Sequence, residues 1–241
     1  MSVENGEWVM YGVEEDDPNC LHTVKEAAAY IRRVGFLPLF RNAVPGFSME
    51  EHTAARHWWS EDPTRDPWEW RGILAGTGDI AYGKFFSGKA GFVSGEWLPY
   101  FLNFRRDGYD FDALWDDGKA GIRQKKIMDC FTITTELLSP ELKEKAGFGK
   151  SREKGFEGTI TGLQMQGYLC VKDFRRRINK KGQPYGWAAA VYCMPEHIFG
   201  YKHVTSAYKE KPKESEKRII AKIAGAFPGA EEKHLQKFLK L

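Results

Sequence analysis

The stretch from Ser139 to Met194 constrains the fold of this chain more than any other part of the sequence. It opens on Ser-Pro-Glu, in which serine caps a helix, proline fits its first turn, and glutamate suits the positive end of its dipole. We therefore predict a short helix over Ser139–Ala146 that ends at Gly147, because glycine is common just past a helix end. A Gly-rich turn and a second helix over 153–166 follow.

Two runs of strand-forming residues come after the second helix, at 168–171 and at 187–192. Between them lies a basic segment whose five cations we expect at the tip of a hairpin: Arg175, Arg176, Arg177, Lys180 and Lys181. The order helix, turn, helix, strand, basic tip and strand is typical of a winged helix, in which a helix and a cationic loop can both meet a duplex. We predict an α+β protein made of winged-helix modules, mostly helical with small β-wings.

The charge of the chain is divided unevenly between its halves. Residues 1–117 contain 11 Lys and Arg against 20 Asp and Glu, a net charge of −9, whereas residues 118–241 contain 25 against 13, a net charge of +12. This asymmetry indicates an anionic partner for the C-terminal half. Nucleic acid fits better than a membrane surface, because no predicted amphipathic helix carries a large apolar face beside these cations. The alternative, that the two halves attract each other, stays open.

Length, composition and cysteine spacing exclude several classes of protein. The 241 residues, 42% of them hydrophobic, suffice for one large domain or two small ones. No apolar run approaches the roughly 20 residues that span a bilayer, and the N-terminus lacks a basic-then-apolar signal pattern. The four cysteines form no Cys-x-x-Cys pair, so we expect a reduced, cytoplasmic setting without a metal site. No Gly-rich phosphate loop of a known type occurs, and we expect no cofactor.

Composition also divides the chain into three expected units. Residues 20–117 form an aromatic-rich, acidic N-terminal domain, for which a diverged winged helix is one interpretation. Residues 118–200 form the winged-helix DNA-binding domain, and residues 201–241 form a basic, helical C-terminal tail. The polar, turn-rich segment 105–117 is the expected linker between the first two units.

Several short motifs resemble one known family. They are Trp68-Glu69-Trp70-Arg71, the segment from Tyr82 to Ser94, Leu98-Pro99-Tyr100-Phe101, and Arg105-Arg106. These motifs resemble a block in the AlkZ-like (YcaQ-like) DNA crosslink-repair glycosylases. That block contains an acidic–aromatic pair, a small-residue segment and a Pro before an Arg pair. The chain resembles a diverged member over about Val24 to Met194. The resemblance implies winged-helix modules, DNA binding and, in active members, hydrolysis of the N-glycosidic bond of alkylated bases.

The catalytic signature of that family is a Gln-x-Gln or Gln-x-Asp pair on extended backbone in the N-terminal winged helix. At the matching place this chain has Leu37-Pro38-Leu39, whose side chains cannot polarise a water. Whether the protein is an enzyme is therefore open. Gln164-Met165-Gln166 matches the residue types of a Gln-x-Gln pair, but it lies on the predicted second helix. Residues two apart on a helix point about 200° from each other, so both amides cannot face one pocket.

One carboxylate completes the set of catalytic candidates, which are Glu69, Gln164 and Gln166. Glu69 lies between Trp68 and Trp70, and an apolar shell would raise the pKa of its side chain into a range useful for acid–base work. The alternative is that the Trp-rich helix belongs to the core.

The basic residues are candidates for a binding surface. We expect three cations at the start of the second helix and five in the wing to contact phosphates, namely Lys150, Arg152, Lys154, Arg175, Arg176, Arg177, Lys180 and Lys181. The alternative is that these cations form an ordinary solvated face.

The sequence thus predicts a protein that binds duplex DNA and resembles repair glycosylases that excise alkylated bases. One alternative is a non-catalytic regulator or damage-recognition module whose aromatic N-terminal half holds a flipped base without cutting it. Another is a protein-interaction domain in which the acidic half docks a basic partner. Fold resemblance alone does not separate these functions.

Overall fold

The computed structural model describes residues 2–4, 7–149 and 152–239. The elements of the N-terminal half are, in chain order, β1 (Ser2–Glu4), β2 (Glu7–Val9), α1 (Val24–Val34), β3 (Phe36–Pro38), α2 (Pro67–Ala75), β4 (Ile80–Phe86), β5 (Lys89–Ser94), α3 (Leu98–Arg106) and α4 (Phe111–Asp116). Two 3-10 helices, Glu50–His52 and Ala55–His57, occupy part of the connection between β3 and α2. Helix α1 begins after Thr23, whose side-chain oxygen accepts a hydrogen bond from the Glu26 amide at 3.2 Å.

The C-terminal half continues the mixture of helices and strands. Its elements are α5 (Ile122–Met128), a 3-10 helix (Asp129–Thr132), β6 (Glu136–Leu138), α6 (Ser139–Lys145), α7 (Phe156–Met165), β7 (Cys170–Ile178), β8 (Pro184–Cys193), α8 (Pro195–Phe199), α9 (Tyr201–Val204), α10 (Pro212–Ala226) and α11 (Glu232–Leu239). Helices together with antiparallel strands make this an α+β protein, as predicted.

Strands from both halves form one antiparallel sheet. Its six strands lie in the order β3-β5-β4-β7-β8-β6, while β1 and β2 pair with each other outside it. The halves join where β4 lies beside β7, and there Tyr82 pairs with Val171. The sheet is therefore continuous across the boundary that was expected between the first two units.

The strand order and register are symmetric about that central pair. On β5, Phe92 pairs with Tyr82 on one side and with β3 on the other. On β8, Tyr192 pairs with Val171 on one side and with β6 on the other. Tyr82 and Val171 thus hold equivalent positions in the two halves, and they face each other at the middle of the sheet. The two halves repeat one strand arrangement although the sequence shows no fixed period.

One hydrophobic cluster extends through both halves. Its largest fully buried side chains include Trp70 and Phe86 from the first half and Tyr168 from the second. Burying side chains of this size contributes about 1.5–3 kcal/mol each, so the halves share the packing that stabilises them. The unit boundaries expected after residues 117 and 200 stay predictions.

The segment 105–117, expected to be a linker, is instead part of the packed structure. Arg105 and Arg106 are buried at the end of α3, and Phe111 is buried in α4. Arginine is almost never fully buried unless it is paired, which is why composition alone indicated a polar connection. The segment is therefore more ordered than a polar linker, while its place between two units stays a prediction.

Two helix starts in the C-terminal half also differ from the prediction. Ser139 lies inside α6, and the residue before the helix, Leu138, makes no side-chain cap. Helix α7 begins at Phe156 rather than near 153, because Gly155 has φ +94°, a left-handed conformation that a right-handed helix does not contain.

The C-terminal helices pack against the N-terminal half. The side-chain amide of Asn103 in α3 donates hydrogen bonds to the Glu210 carbonyl at 3.0 Å and to the Ser215 hydroxyl at 2.9 Å. The ring of Phe238 in α11 stacks on Phe86 with centroids 5.2 Å apart. Across the residues that the structure describes, none of the helices combines the length and apolar character needed to cross a membrane.

Candidate nucleic-acid interface

The hairpin of β7 and β8 extends beyond the body of the molecule. At its base, Cys170 and Val171 on β7 and the end of β8 from Val191 are buried. From Arg175 outward, the side chains of β7 are exposed, and so are those of β8 up to Ala188. The outer half of the hairpin is therefore a solvated arm, longer than the short wing that the sequence predicted.

Backbone hydrogen bonds and one side chain fix the tip of the arm. The Asn179 side-chain oxygen accepts hydrogen bonds from the amides of Lys181 at 2.9 Å and Gln183 at 3.0 Å. Asn179 also donates its own amide to the Gln183 carbonyl at 2.9 Å. An asparagine that accepts from the backbone two residues on is a common device of tight turns. The turn presents Lys180 and Lys181 to solvent.

Only two of the five predicted wing cations lie at this tip, which corrects the expected placement. Arg175, Arg176 and Arg177 lie within β7, because the strand runs seven residues further than the predicted 168–171 run. Period-2 alternation is weak in this basic, exposed segment, so the pattern did not predict a strand there.

Arg175 is held by carboxylates at the base of the arm. Its guanidinium lies 2.6 Å from Glu136 and 2.6 Å from Asp173, and the Lys172 ammonium lies 2.6 Å from Glu136 as well. Hydrogen bonds from Lys172, and then from Arg175, hold the pKa of Glu136 below its ordinary value. Arg175 therefore anchors the hairpin to β6, and its charge is already compensated.

The outer cations of the arm are Arg176, Arg177, Lys180 and Lys181, all of them exposed. The Arg177 guanidinium lies over the Tyr185 ring at 4.9 Å from its centroid, which orients it along the arm. Cations held on an extended, solvated hairpin can reach the phosphates of a groove.

A bulge on β8 adds an aromatic side chain to the arm. Between the pairs Arg177–Tyr185 and Arg175–Ala189, strand β8 contains three residues where β7 contains one. The extra residues include Gly186, with φ +71°, and Trp187, whose side chain is 94% exposed. Bulges re-aim side chains and bend strands, and here the bulge leaves a large indole in solvent. The sequence pattern predicts Trp187 only as part of a strand.

The cations expected at the start of the second helix lie before it. Arg152 and Lys154 are exposed in the connection that leads to α7, whereas Lys150 lies outside the described residues. Glu153, which lies between Arg152 and Lys154, accepts a hydrogen bond from the Arg123 guanidinium at 2.7 Å and forms an ion pair with Lys126. The connection therefore carries both signs of charge.

The two glutamines of the Gln-x-Gln sequence are not brought together. Gln164 is 1% exposed; its side-chain oxygen accepts from the Lys84 amide at 3.1 Å, and its nitrogen donates to the Ile160 carbonyl at 3.1 Å. Gln166 accepts from the Gln124 side chain at 2.6 Å. Gln164 thus links α7 to β4, and the two amides face different neighbours, as their helical spacing predicts.

The remaining catalytic candidate lacks the expected environment. Glu69 is exposed on α2, while Trp70 is buried and Trp68 is half-buried. The predicted apolar shell around Glu69 is therefore absent from the structure. At the position of the family signature, Leu37 and Leu39 are fully buried.

A row of flat side chains connects α2 to the base of the arm. The Arg71 guanidinium lies 3.4 Å from the centroid of Trp68 and 4.0 Å from that of Phe174 on β7. Its Nε donates to the Trp68 carbonyl at 2.7 Å, and burial lowers the pKa of Arg71. No local sequence pattern indicates this stack, because the stack joins Trp68 and Arg71 to Phe174, about a hundred positions further along the chain. Among the described residues, no group of His, Cys, Asp and Glu is arranged to hold a metal ion.

Comparisons with known proteins add a family and a distant structural likeness. A family model described as AlkZ related matches residues 21–240. The solved structure of the Streptomyces sahachiroi DNA glycosylase AlkZ aligns with a TM-score of 0.45 and 12% identity, over 92% of this chain and 60% of that one. The chain therefore spans about three fifths of the length of that protein. A comparison with curated proteins finds no match.

Proposed function

This chain belongs to the AlkZ-related family, and from that premise we propose that it binds duplex DNA in a DNA-repair, glycosylase-like role. The observation that carries the proposal is the solvated β7–β8 arm with its four exposed cations. A cationic arm of this kind supplies affinity and orientation through phosphate contacts rather than base reading.

The order of elements supports winged-helix modules as the framework of this surface. In the second unit, residues 118–200, the order is α5, β6, α6, α7, β7 and β8. This is the order helix, strand, helix, helix and two-stranded wing. The first unit, residues 20–117, has α1, β3, α2, β4 and β5, with 3-10 helices in the middle, which fits a diverged copy. We assign residues 201–241 as the tail that packs on the first unit.

A second candidate function is DNA binding without excision. The burial of Leu37 and Leu39, together with the exposed position of Glu69, favours it. The described residues that match the family signature offer no group that can activate a water. A base-release assay on a duplex with alkylated bases separates the two functions, because only an enzyme frees the base.

Binding itself is tested by fluorescence anisotropy with a labelled duplex across a series of salt concentrations. Each phosphate contact contributes about −0.9 to the slope of log affinity against log salt. Replacing Arg176, Arg177, Lys180 and Lys181 together by Ala should make the slope shallower by roughly 3 to 4.

Arg175→Ala is the matched control on the same strand. Since Glu136 and Asp173 already compensate this charge, we expect the slope to change little. Absence of duplex binding near physiological salt, or a slope that the fourfold variant leaves unchanged, would refute the DNA-binding arm. Either outcome would favour the protein-interaction alternative.

A further inference from the structure

Trp59 is held in a backbone conformation that a bulky residue rarely adopts. Its φ is +56°, in the left-handed region where residues other than glycine are uncommon and large side chains are outliers. Its amide donates to the Asp66 carboxylate at 3.0 Å, and the same carboxylate oxygen accepts from the Trp68 amide at 2.8 Å. Asp66 is buried. The start of α2 therefore fixes the strained conformation of Trp59.

The strain does not serve to bury the indole. Trp59 is 48% exposed, although its ring contacts Trp58 and Trp68, each with centroids 5.9 Å away. Phe40 packs behind both of them, 5.4 Å from Trp58 and 6.4 Å from Trp68. Strained backbone of this kind is retained mainly at functional sites. The Trp59 ring is tilted by 58° to Trp58 and by 52° to Trp68, so the half-exposed face of Trp59 itself is the preformed flat surface.

This surface lies at the foot of the cationic arm. Trp68 contacts Arg71, and Arg71 contacts Phe174 on β7, so the row of flat groups runs from Trp59 to the hairpin.

The chemistry of the exposed face favours a base over a phosphate. The face of Trp59 is apolar, and the Arg71 guanidinium already lies on the ring of the neighbouring Trp68. An apolar aromatic face suits the flat face of a nucleobase.

We propose that the exposed face of Trp59 forms a stacking platform for an unpaired nucleobase of the bound DNA, with Trp58 and Trp68 holding the ring in place. The proposal rests on the proposed function, since the arm must first bind the duplex. Base stacking on an aromatic side chain tolerates every base, because each has a flat face. The platform thus takes a base that has left the helix, whatever its identity.

The test compares two labelled duplexes by anisotropy, one fully paired and one with a single bulged base. The wild-type protein should bind the bulged duplex more tightly, and Trp59→Gly should reduce that affinity by about 5- to 150-fold. The affinity of the Trp59→Gly variant for the paired duplex should equal that of the wild type. Glycine is chosen because it adopts positive φ without strain, which offsets part of the packing lost with the indole. Circular dichroism and urea denaturation check that the variant is folded under the binding conditions.

Two further variants make the result specific. Trp59→Phe keeps a flat ring and should retain part of the preference for the bulged duplex. Ile73→Ala removes another half-exposed apolar side chain from α2 and should change neither affinity.

The outcomes separate the platform from the proposed function. If neither duplex binds, both proposals fail. If the paired duplex binds but the bulged one has no advantage, or if Trp59→Gly keeps the advantage, the platform is refuted and the DNA-binding arm stands.

Discussion

Arg105 and Arg106 are neighbours at the end of α3, and each is 3% exposed. Their surroundings differ, because Arg106 forms an ion pair with a carboxylate whereas Arg105 contacts mainly aromatic rings. Arg106 lies 2.5 Å from Glu196 and donates to the Gly167 carbonyl at 2.8 Å. Arg105 donates to the Phe85 carbonyl at 2.7 Å, while its Nε and Nη1 have no hydrogen-bond partner within the described part of the chain. Burial lowers the pKa of Arg105 to about 10. Burial also opposes the charge of Arg106, but Glu196 raises the pKa of Arg106 above its ordinary value.

Replacing these two arginines should therefore change stability in opposite directions. We expect Arg105→Met to raise the free energy of unfolding by about 1–3 kcal/mol, because it removes a buried charge without a carboxylate partner. Arg106→Met should lower it by about 3–5 kcal/mol, because it leaves the Glu196 side chain, only 12% exposed, without its cation. Urea denaturation of both variants measures these differences. A loss of stability in Arg105→Met would show that its contacts with Phe101 and Phe104, at 5.0 and 5.4 Å, outweigh the cost of burial.

At the scale of elements, the β7–β8 hairpin is attached to the body by charge as well as by strand pairing. Glu136 on β6 contacts both Lys172 and Arg175 on β7, although β8 lies between the two strands. This clamp spans a strand and so restrains the direction in which the arm leaves the sheet.

The clamp predicts a defined pH dependence. The pKa of Glu136 is lower in the folded state than in the unfolded chain, so its contribution is complete above about pH 4.3 and is lost as pH falls through the folded pKa. At pH 7, Glu136→Gln should cost about 0.5–1 kcal/mol, the upper range for partly exposed pairs.

Urea titrations at pH 7 and at pH 3 measure this contribution. The difference between wild type and Glu136→Gln should be smaller at pH 3, which lies below the ordinary pKa of a glutamate, because the unfolded chain then binds a proton that the folded state binds less well. Glu61→Gln, on an exposed bend of the first half, is a suitable control. An equal difference at both pH values would mean that the carboxylate charge does not hold the hairpin.

At the scale of the whole molecule, the two halves are joined by the Tyr82–Val171 pairing and by one hydrophobic cluster. The tail adds a further connection, because α10 and α11 pack on the first half. The acidic and basic halves thus lie in one sheet, and the arm projects from the basic half.

This continuity predicts cooperative unfolding. Thermal denaturation followed by far-ultraviolet circular dichroism and by tryptophan fluorescence should give one coincident transition. Seven of the eight tryptophans precede residue 118, so fluorescence reports mainly on the first half and circular dichroism on the whole chain. Two separated midpoints would indicate that the halves unfold independently.

Much of the second half was predictable from local sequence. The helices near 139–146 and 153–166 occur within a few residues of their predicted places, and the two strand runs that follow overlap β7 and β8, although β7 extends seven residues beyond its predicted end. Proline at a helix start, glycine past its end and strand-forming runs act over a few residues, so they can be read without the rest of the chain. The helical placement of Gln164 and Gln166 followed from the same local reasoning.

The sequence by itself determined the α+β class and the basic character of the hairpin, and it showed Leu37-Pro38-Leu39 where the resemblance implies a Gln-x-Gln pair. Only the tertiary structure decided that the halves share a sheet, that Arg105 and Arg106 are buried, and that Trp59 is strained beside the arm. Each of these depends on contacts between distant segments, such as Tyr82 with Val171. The free energy of such contacts appears only when the segments meet, and no local pattern encodes it.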